Sequence, residues 1–191
     1  MKKLVLLLAL ILPIFGCFGQ NKPLRGKVIP EVQFGATIYD YQNVVMPSIQ
    51  LAFLFPDGKY FSVGPFINGY TSLNTVSKSN SRREEYEYRP MGFRGGLNFR
   101  ISTNSEHTHG FIDLVPSVGR SIQTGRVTNA NLDKAWEYLG TVNLGVNFKL
   151  KSGNSFGLYT GGGLGFLKFK EINLRQDIVR VHAGFIYQSN F

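Results

Sequence analysis

Any hydrolytic, metal or proton-transfer chemistry in this 191-residue chain has to run through few groups, because it holds three histidines and a single cysteine. His107 and His109 lie in Glu106-His107-Thr108-His109, which could offer two imidazoles and a carboxylate to a metal ion. Two histidines two apart in a turn, with no further ligand assignable elsewhere, are ordinarily solvated, so no metal and no cofactor is expected. Gly161-Gly162-Gly163-Leu164-Gly165 resembles a phosphate-binding loop only superficially, since no helix follows it. Phosphate recognition has better candidates in Lys78, Arg82, Arg83, Arg89, Arg126, Lys134, Lys170 and Arg175, although Glu84, Glu85, Glu87, Asp133, Glu137 and Glu171 are interleaved with them as on an ordinary solvated surface. Of these, Arg82, Arg83, Arg126 and Arg175 are the candidate contacts to anionic lipid. A last set, Glu31, Arg94, Arg100, Asp113, Lys149, Arg180 and His182, interrupts otherwise apolar stretches. It would either relay ions and protons or fill an interior as paired charges, and the elements that carry it decide between the two.

Those elements alternate with a period of two. In the first, Val28, Pro30, Val32, Phe34, Ala36 and Ile38 oppose Lys27, Glu31, Gln33, Gly35 and Thr37. Further strands are predicted over 46–55, 60–70, 86–101, 111–120, 138–150, 156–169 and 179–191. The sixth is the clearest, with Tyr138, Gly140, Val142, Leu144, Val146, Phe148 and Leu150 against Thr141, Asn143, Gly145, Asn147 and Lys149. Pro56-Asp57-Gly58-Lys59 and Lys151-Ser152-Gly153-Asn154 are tight turns. Short connections (55–59, 103–110, 151–154) alternate with longer ones (72–85, 121–135, 170–177), apart from a short first loop near 40–44. Small outer-membrane barrels keep short turns on the periplasmic side and longer loops outside, and an even strand number puts both termini on the periplasmic side.

The N-terminus reads as an export signal. Lys2 and Lys3 precede the apolar run Leu4 to Phe15, which is too short and too interrupted by Pro13 to span a bilayer as a helix. Cleavage after Gly19 makes 1–19 a signal peptide and 20–191 one domain without cysteine, so no disulfide framework holds it. Ile14-Phe15-Gly16-Cys17 also resembles a lipobox, so lipidation at Cys17 is the alternative processing. The formal charge of +9 falls to +7 when Lys2 and Lys3 are lost. On an exported chain that balance points to anionic lipid headgroups rather than to nucleic acid.

Alternation alone leaves open which face looks inward. The polar face holds Gly35, Gly64, Gly96, Gly119, Gly145, Gly161, Gly163 and Gly165 with Asn98, Asn143 and Asn147, where a water-facing sheet would carry more Lys and Glu. That composition suits a cramped barrel interior, with the apolar face toward lipid. A one-residue slip of the last strand would turn Arg180 and His182 to lipid, where an arginine at midplane costs about 2–4 kcal/mol. Aromatics near the strand ends form two expected girdles: Tyr39, Tyr70, Tyr86, Tyr88, Trp136 and Tyr138 on the outer side, and Phe61, Phe99, Phe111, Phe148, Phe156 and Phe191 on the inner. Pro30, Pro47, Pro65, Pro90 and Pro116 run against the assignment, because proline cannot donate to a ladder and a closed barrel has no free edge. Pro30 and Pro47 lie near strand ends, whereas Pro65 and Pro116 call for bulges or different boundaries.

Over 27–191 the strand pattern, export signal and terminal Phe191 resemble the small outer-membrane barrels typified by the OmpA membrane domain and OmpX, and more closely the Bacteroidetes-type outer membrane β-barrel proteins. The resemblance implies an eight-stranded antiparallel up-and-down transmembrane barrel in the bacterial outer membrane. It also implies that a C-terminal aromatic strand, matched by Phe185, Tyr187 and Phe191 but not by Ser189, is read by the barrel-assembly machinery. Eight strands enclose little more than their own side chains, so the charged set is expected to be a paired lumen network and a large pore is not expected. With His107 and His109 on the periplasmic side and His182 inside, an outer-rim Ser-His-Asp arrangement has no histidine, so the expected protein is non-enzymatic. Its role would be structural, adhesive or in envelope assembly, through outer loops meeting lipopolysaccharide or an unidentified surface ligand. A barrel enzyme of the lipid-A acyltransferase type and a soluble periplasmic β-barrel with an apolar ligand are the alternatives.

Overall fold

The computed structural model describes residues 28–40, 44–58, 60–73, 76–79, 85–103, 107–126, 134–169 and 174–189. The leader with Cys17, and Arg82, Arg83, Glu106 and Phe191, lie outside the described residues; for 76–79, 85–88, 123–126 and 174 only the backbone is described. Strands are β1 (Ile29–Tyr39), β2 (Val45–Asp57), β3 (Phe61–Thr71), β4 (Val76–Ser79), β5 (Glu85–Ser102), β6 (Thr108–Arg126), β7 (Lys134–Lys149), β8 (Ser155–Phe169) and β9 (Leu174–Gln188). Eight of them form a closed antiparallel barrel, each paired with its neighbour in sequence, with β3 joined directly to β5 and β1 closing on β9. The ninth, β4, pairs only with residues 85–88 of β5, beyond the point where β3 ends.

The eight predicted crossings are therefore present, with two differences. The segment 72–85, read as a plain loop, contains β4. In addition β6, β7 and β9 begin or end several residues beyond their predicted bounds, reaching Arg126, Lys134 and Leu174. In these extensions the simple alternation of apolar and polar residues is lost, with Ala135 and Ile178 facing inward and Lys134, Arg175 and Asp177 outward, so the period that marks a strand is absent where pairing continues.

Following hydrogen-bonded partners once around the wall fixes the geometry. The path from Arg175 runs through Lys168, Trp136, Arg120, Phe93, Gly69, Ile49 and Phe34 and returns to β9 at Phe185, ten residues along. Eight strands with a stagger of ten residues tilt by roughly 40° and leave an interior that side chains fill.

The greasy face looks out. Val142 is 49% exposed, Leu144 52% and Phe185 54%, while Glu31, Gln33, Asn98, Asp113 and Asn143 are buried. This inverts a soluble barrel and excludes one with an apolar interior at mid-height. The glycines explain how the polar face fits: a methyl on Gly145 would strike the Phe111 ring, and one on Gly35 would strike the Tyr159 hydroxyl and the Ala183 carbonyl. Outward Gly140, by contrast, has only the Leu164 carbonyl nearby, at 3.9 Å.

No bulge accommodates the two awkward prolines. Pro65 keeps its pairing with Leu97, and the β2–β3 register is the same on both sides of a two-residue gap opposite it. Pro116 likewise keeps Gly140 as partner, while the β5–β6 ladder skips the same two steps. Each proline thus breaks the ladder on one side only, the side its missing N–H would have served.

Candidate functional site

The charged set meets in the lumen as two clusters, one toward the end of the barrel that carries the short turns and the described termini (the turn end) and one toward the opposite, loop end. In the turn half Arg100 of β5 is the centre. It donates through Nε to Asp113 Oδ1 at 2.6 Å and through NH2 to Asp113 Oδ2 at 2.8 Å, a bidentate pair. The same guanidinium donates to both carboxylate oxygens of Glu31 and lies 4.1 Å from the centre of the Phe111 ring. Gln33 and Gln188 each donate to Glu31 at 2.7 Å, and Asn98 donates to Asp113 at 3.3 Å. Strands β1, β5, β6 and β9 are thereby tied across the interior.

The loop half is organised by a residue that the sequence assigned to an outer loop, Glu137. Its carboxylate accepts from the Tyr39 and Tyr70 hydroxyls, each at 2.6 Å, and pairs with Arg94 NH1 at 3.2 Å. Arg94 also donates to the Tyr39 hydroxyl at 3.1 Å. Tyr39 and Tyr70 were expected in the outer girdle and Phe111 in the inner one; all three are buried in the lumen instead. The parity rule places them correctly, since Glu137 shares its face with Thr141 and Asn143, and Tyr39 shares its face with Glu31 and Thr37. Setting the strand boundary at Tyr138, four residues after β7 begins at Lys134, hid Glu137.

Two further predicted members behave differently. Arg180 donates to Thr37 Oγ1 at 2.8 Å and has no carboxylate within ion-pair distance among the described residues, and His182 Nε2–H donates to Asn143 Oδ1 at 2.7 Å. Lys149 has the inward parity but is exposed at the turn-end mouth, so it does not belong to the buried network. The buried charges balance, with Arg94, Arg100 and Arg180 against Glu31, Asp113 and Glu137.

Little space remains. Between the clusters, Gln50, Asn68, Ser117, Asn143 and His182 surround a cavity of about 10 Å³, the lower limit for one water. Around the loop-half cluster, Met46, Ala135, Leu139, Leu167, Phe169 and Ile178 pack with Tyr39 and Tyr70 as an apolar layer in the lumen. A vestibule of about 230 Å³ opens at the turn end beside Arg100, His109, Asn147 and Lys149, and stops at the lower cluster. A path from one end of the barrel to the other would have to pass both charge clusters.

The remaining candidate sites are dispersed. His107 and His109 lie at the turn end, where His109 Nδ1 bonds the Thr103 carbonyl at 3.0 Å, and no metal-like cluster occurs among the described residues. Arg175 is exposed on the outer wall near the loop end, paired with Asp177 at 3.1 Å; the side chain of Arg126 lies outside the described residues. Phe185 and Tyr187 face outward near the turn end.

No protein-family model and no curated protein matches the chain. Among solved structures it is similar to Neisserial surface protein A, at 7% identity and a TM-score of 0.59 over 86% of this chain and 96% of that one. Weaker likenesses are the outer membrane enzyme PagL (10% identity, TM-score 0.46, 84% and 99% covered) and Ail, the attachment invasion locus protein of Yersinia pestis (12%, 0.37, 85% and 95%). At these identities the likeness speaks to fold alone. The fold is that of the small outer-membrane β-barrels.

Proposed function

We propose that the chain is an integral, non-enzymatic barrel of the bacterial outer membrane, with its turn end in the periplasm, that acts through its extracellular loops in adhesion, ligand binding or envelope assembly. The observation that carries this is the inverted burial: an apolar wall around an interior of balanced charges can be stable only when the wall meets acyl chains. The occluded lumen argues against transport, and no histidine among the described residues stands at the loop end to activate a hydroxyl there. What remains for recognition is the surface beyond the loop end, on which β5 and β6 project with β4 paired alongside. Assembly through recognition of the aromatic β9 by the barrel-assembly machinery belongs to the same reading.

Fractionation tests the location: the chain should be recovered in the outer membrane and migrate faster on a gel before boiling than after. Recovery in the soluble periplasm would end the proposal. Lipid-A acylation compared with and without the protein tests the absence of enzymatic activity, and an altered acyl profile would replace the binder by a barrel enzyme.

A further inference from the structure

We propose that the outer wall over β6–β9 is a docking site for a phosphorylated, acylated glycolipid of the lipid-A type, with one acyl chain in a groove and its phosphate on the cations above. This rests on the outer-membrane reading and adds to it a ligand and an address on the molecule. The groove follows from register. Pro116, Gly140 and Leu164 are direct partners on three adjacent strands and all face outward. Gly140 has no side chain, and a depression of about 670 Å³ opens there, walled by Tyr138, Phe166 and Val179. Tyr138 and Phe166 stack at 4.9 Å along its edge, giving it a rigid apolar flank.

The cations follow from the same register. Immediately toward the loop end, Arg120, Trp136, Lys168 and Arg175 are successive cross-strand partners on β6, β7, β8 and β9, all with outward parity. Arg120 lies 5.8 Å from the centre of the Trp136 ring and Arg175 4.2 Å from that of Phe166, so aromatic faces hold both guanidinium groups at the edge of the apolar band. Lys134, two residues above Trp136, is also exposed. Four cations thus face Asp177, which pairs with Arg175, and Asp40, whose carboxylate accepts the Val179 N–H at 3.0 Å. The excess is positive, and Arg175, Asp177 and Asp40 line the trough itself beside its apolar floor. A zwitterionic phospholipid would use the trough but leave that excess uncompensated, whereas a phosphate monoester compensates it.

Native mass spectrometry of the purified full chain in detergent micelles, titrated with bisphosphorylated lipid A, with its dephosphorylated form and with phosphatidylethanolamine, decides the matter. The wild-type chain should retain bisphosphorylated lipid A at least about tenfold more tightly than either comparison lipid, and K168Q/R175Q should lose that margin. The charge-matched control K149Q/K151Q, at the other end of the barrel, should keep it. Gly140→Leu, which fills the trough, should weaken retention of both lipid-A forms. Equal retention of all three lipids by the wild-type chain, or undiminished retention by K168Q/R175Q, would overturn the site. Heat-modifiable migration of each sample separates this from failure of the membrane-barrel reading, under which the wild-type chain would show no such shift.

Discussion

Glu137 shows most clearly how single residues hold this interior. One carboxylate takes two tyrosine hydroxyls and a guanidinium, linking β1, β3, β5 and β7 through Tyr39, Tyr70 and Arg94. Removing it leaves Arg94 buried without a counter-charge, beside Arg180, which already lacks one. Glu137→Ala should therefore destabilise the barrel by about 3–5 kcal/mol, read as a lower urea midpoint for unfolding from lipid vesicles. Arg94→Met/Glu137→Leu, which removes both charges at similar volume, should recover most of that loss, because it adds no unpaired ion to Arg180, which the native interior already carries. If the double variant were as unstable as Glu137→Ala, the cost would lie in packing and not in charge.

At the scale of the strand, the decisive property is parity: each strand has one face that must fit a crowded interior and one that meets a fluid. Two substitutions should separate these. Gly145→Ala drives a methyl into Phe111 and should cost about 1–3 kcal/mol through overpacking, whereas Gly140→Ala on the same strand, facing out, should change stability by less than about 0.5 kcal/mol. Phe34→Arg, near mid-height on the lipid face, should cost about 2–4 kcal/mol in the same unfolding assay. Parity was also the most legible property of the chain. Glu31, Arg94, Arg100, Asp113, Arg180 and His182 all face inward as their alternation requires. What alternation could not give was extent and partnership. Glu137 and Tyr39 stand at strand ends, where a tyrosine reads equally well as a girdle residue or as a hydrogen-bond donor to a buried acid. Lys149 has the right parity, but the lumen has already opened to water at its level. The prolines misled for a related reason: a ladder can lose two steps on one side and keep its register, and sequence shows only the missing donor.

For the whole molecule, two charge clusters that balance only when taken together, and an apolar layer, make the barrel a solid post, and its function is accordingly assigned to its surfaces. Its stagger of ten residues winds every cross-strand row around the wall, so residues far apart in sequence, such as Arg120 and Arg175, meet on one patch of the outer face. Composition gives no hint of such a patch; it emerges only once the register is known.

That the wall faces lipid can be tested with the chain's own single tryptophan, Trp136, which is 43% exposed near the loop-end edge of the apolar band. In vesicles of lipids brominated at different depths, its fluorescence should be quenched most by bromine near the headgroup. A Val142→Trp probe in a Trp136→Phe background should be quenched most by bromine near the chain ends, since Val142 lies at mid-height. Fluorescence from both probes that is untouched by bromine at every depth and quenched by aqueous iodide would contradict the account.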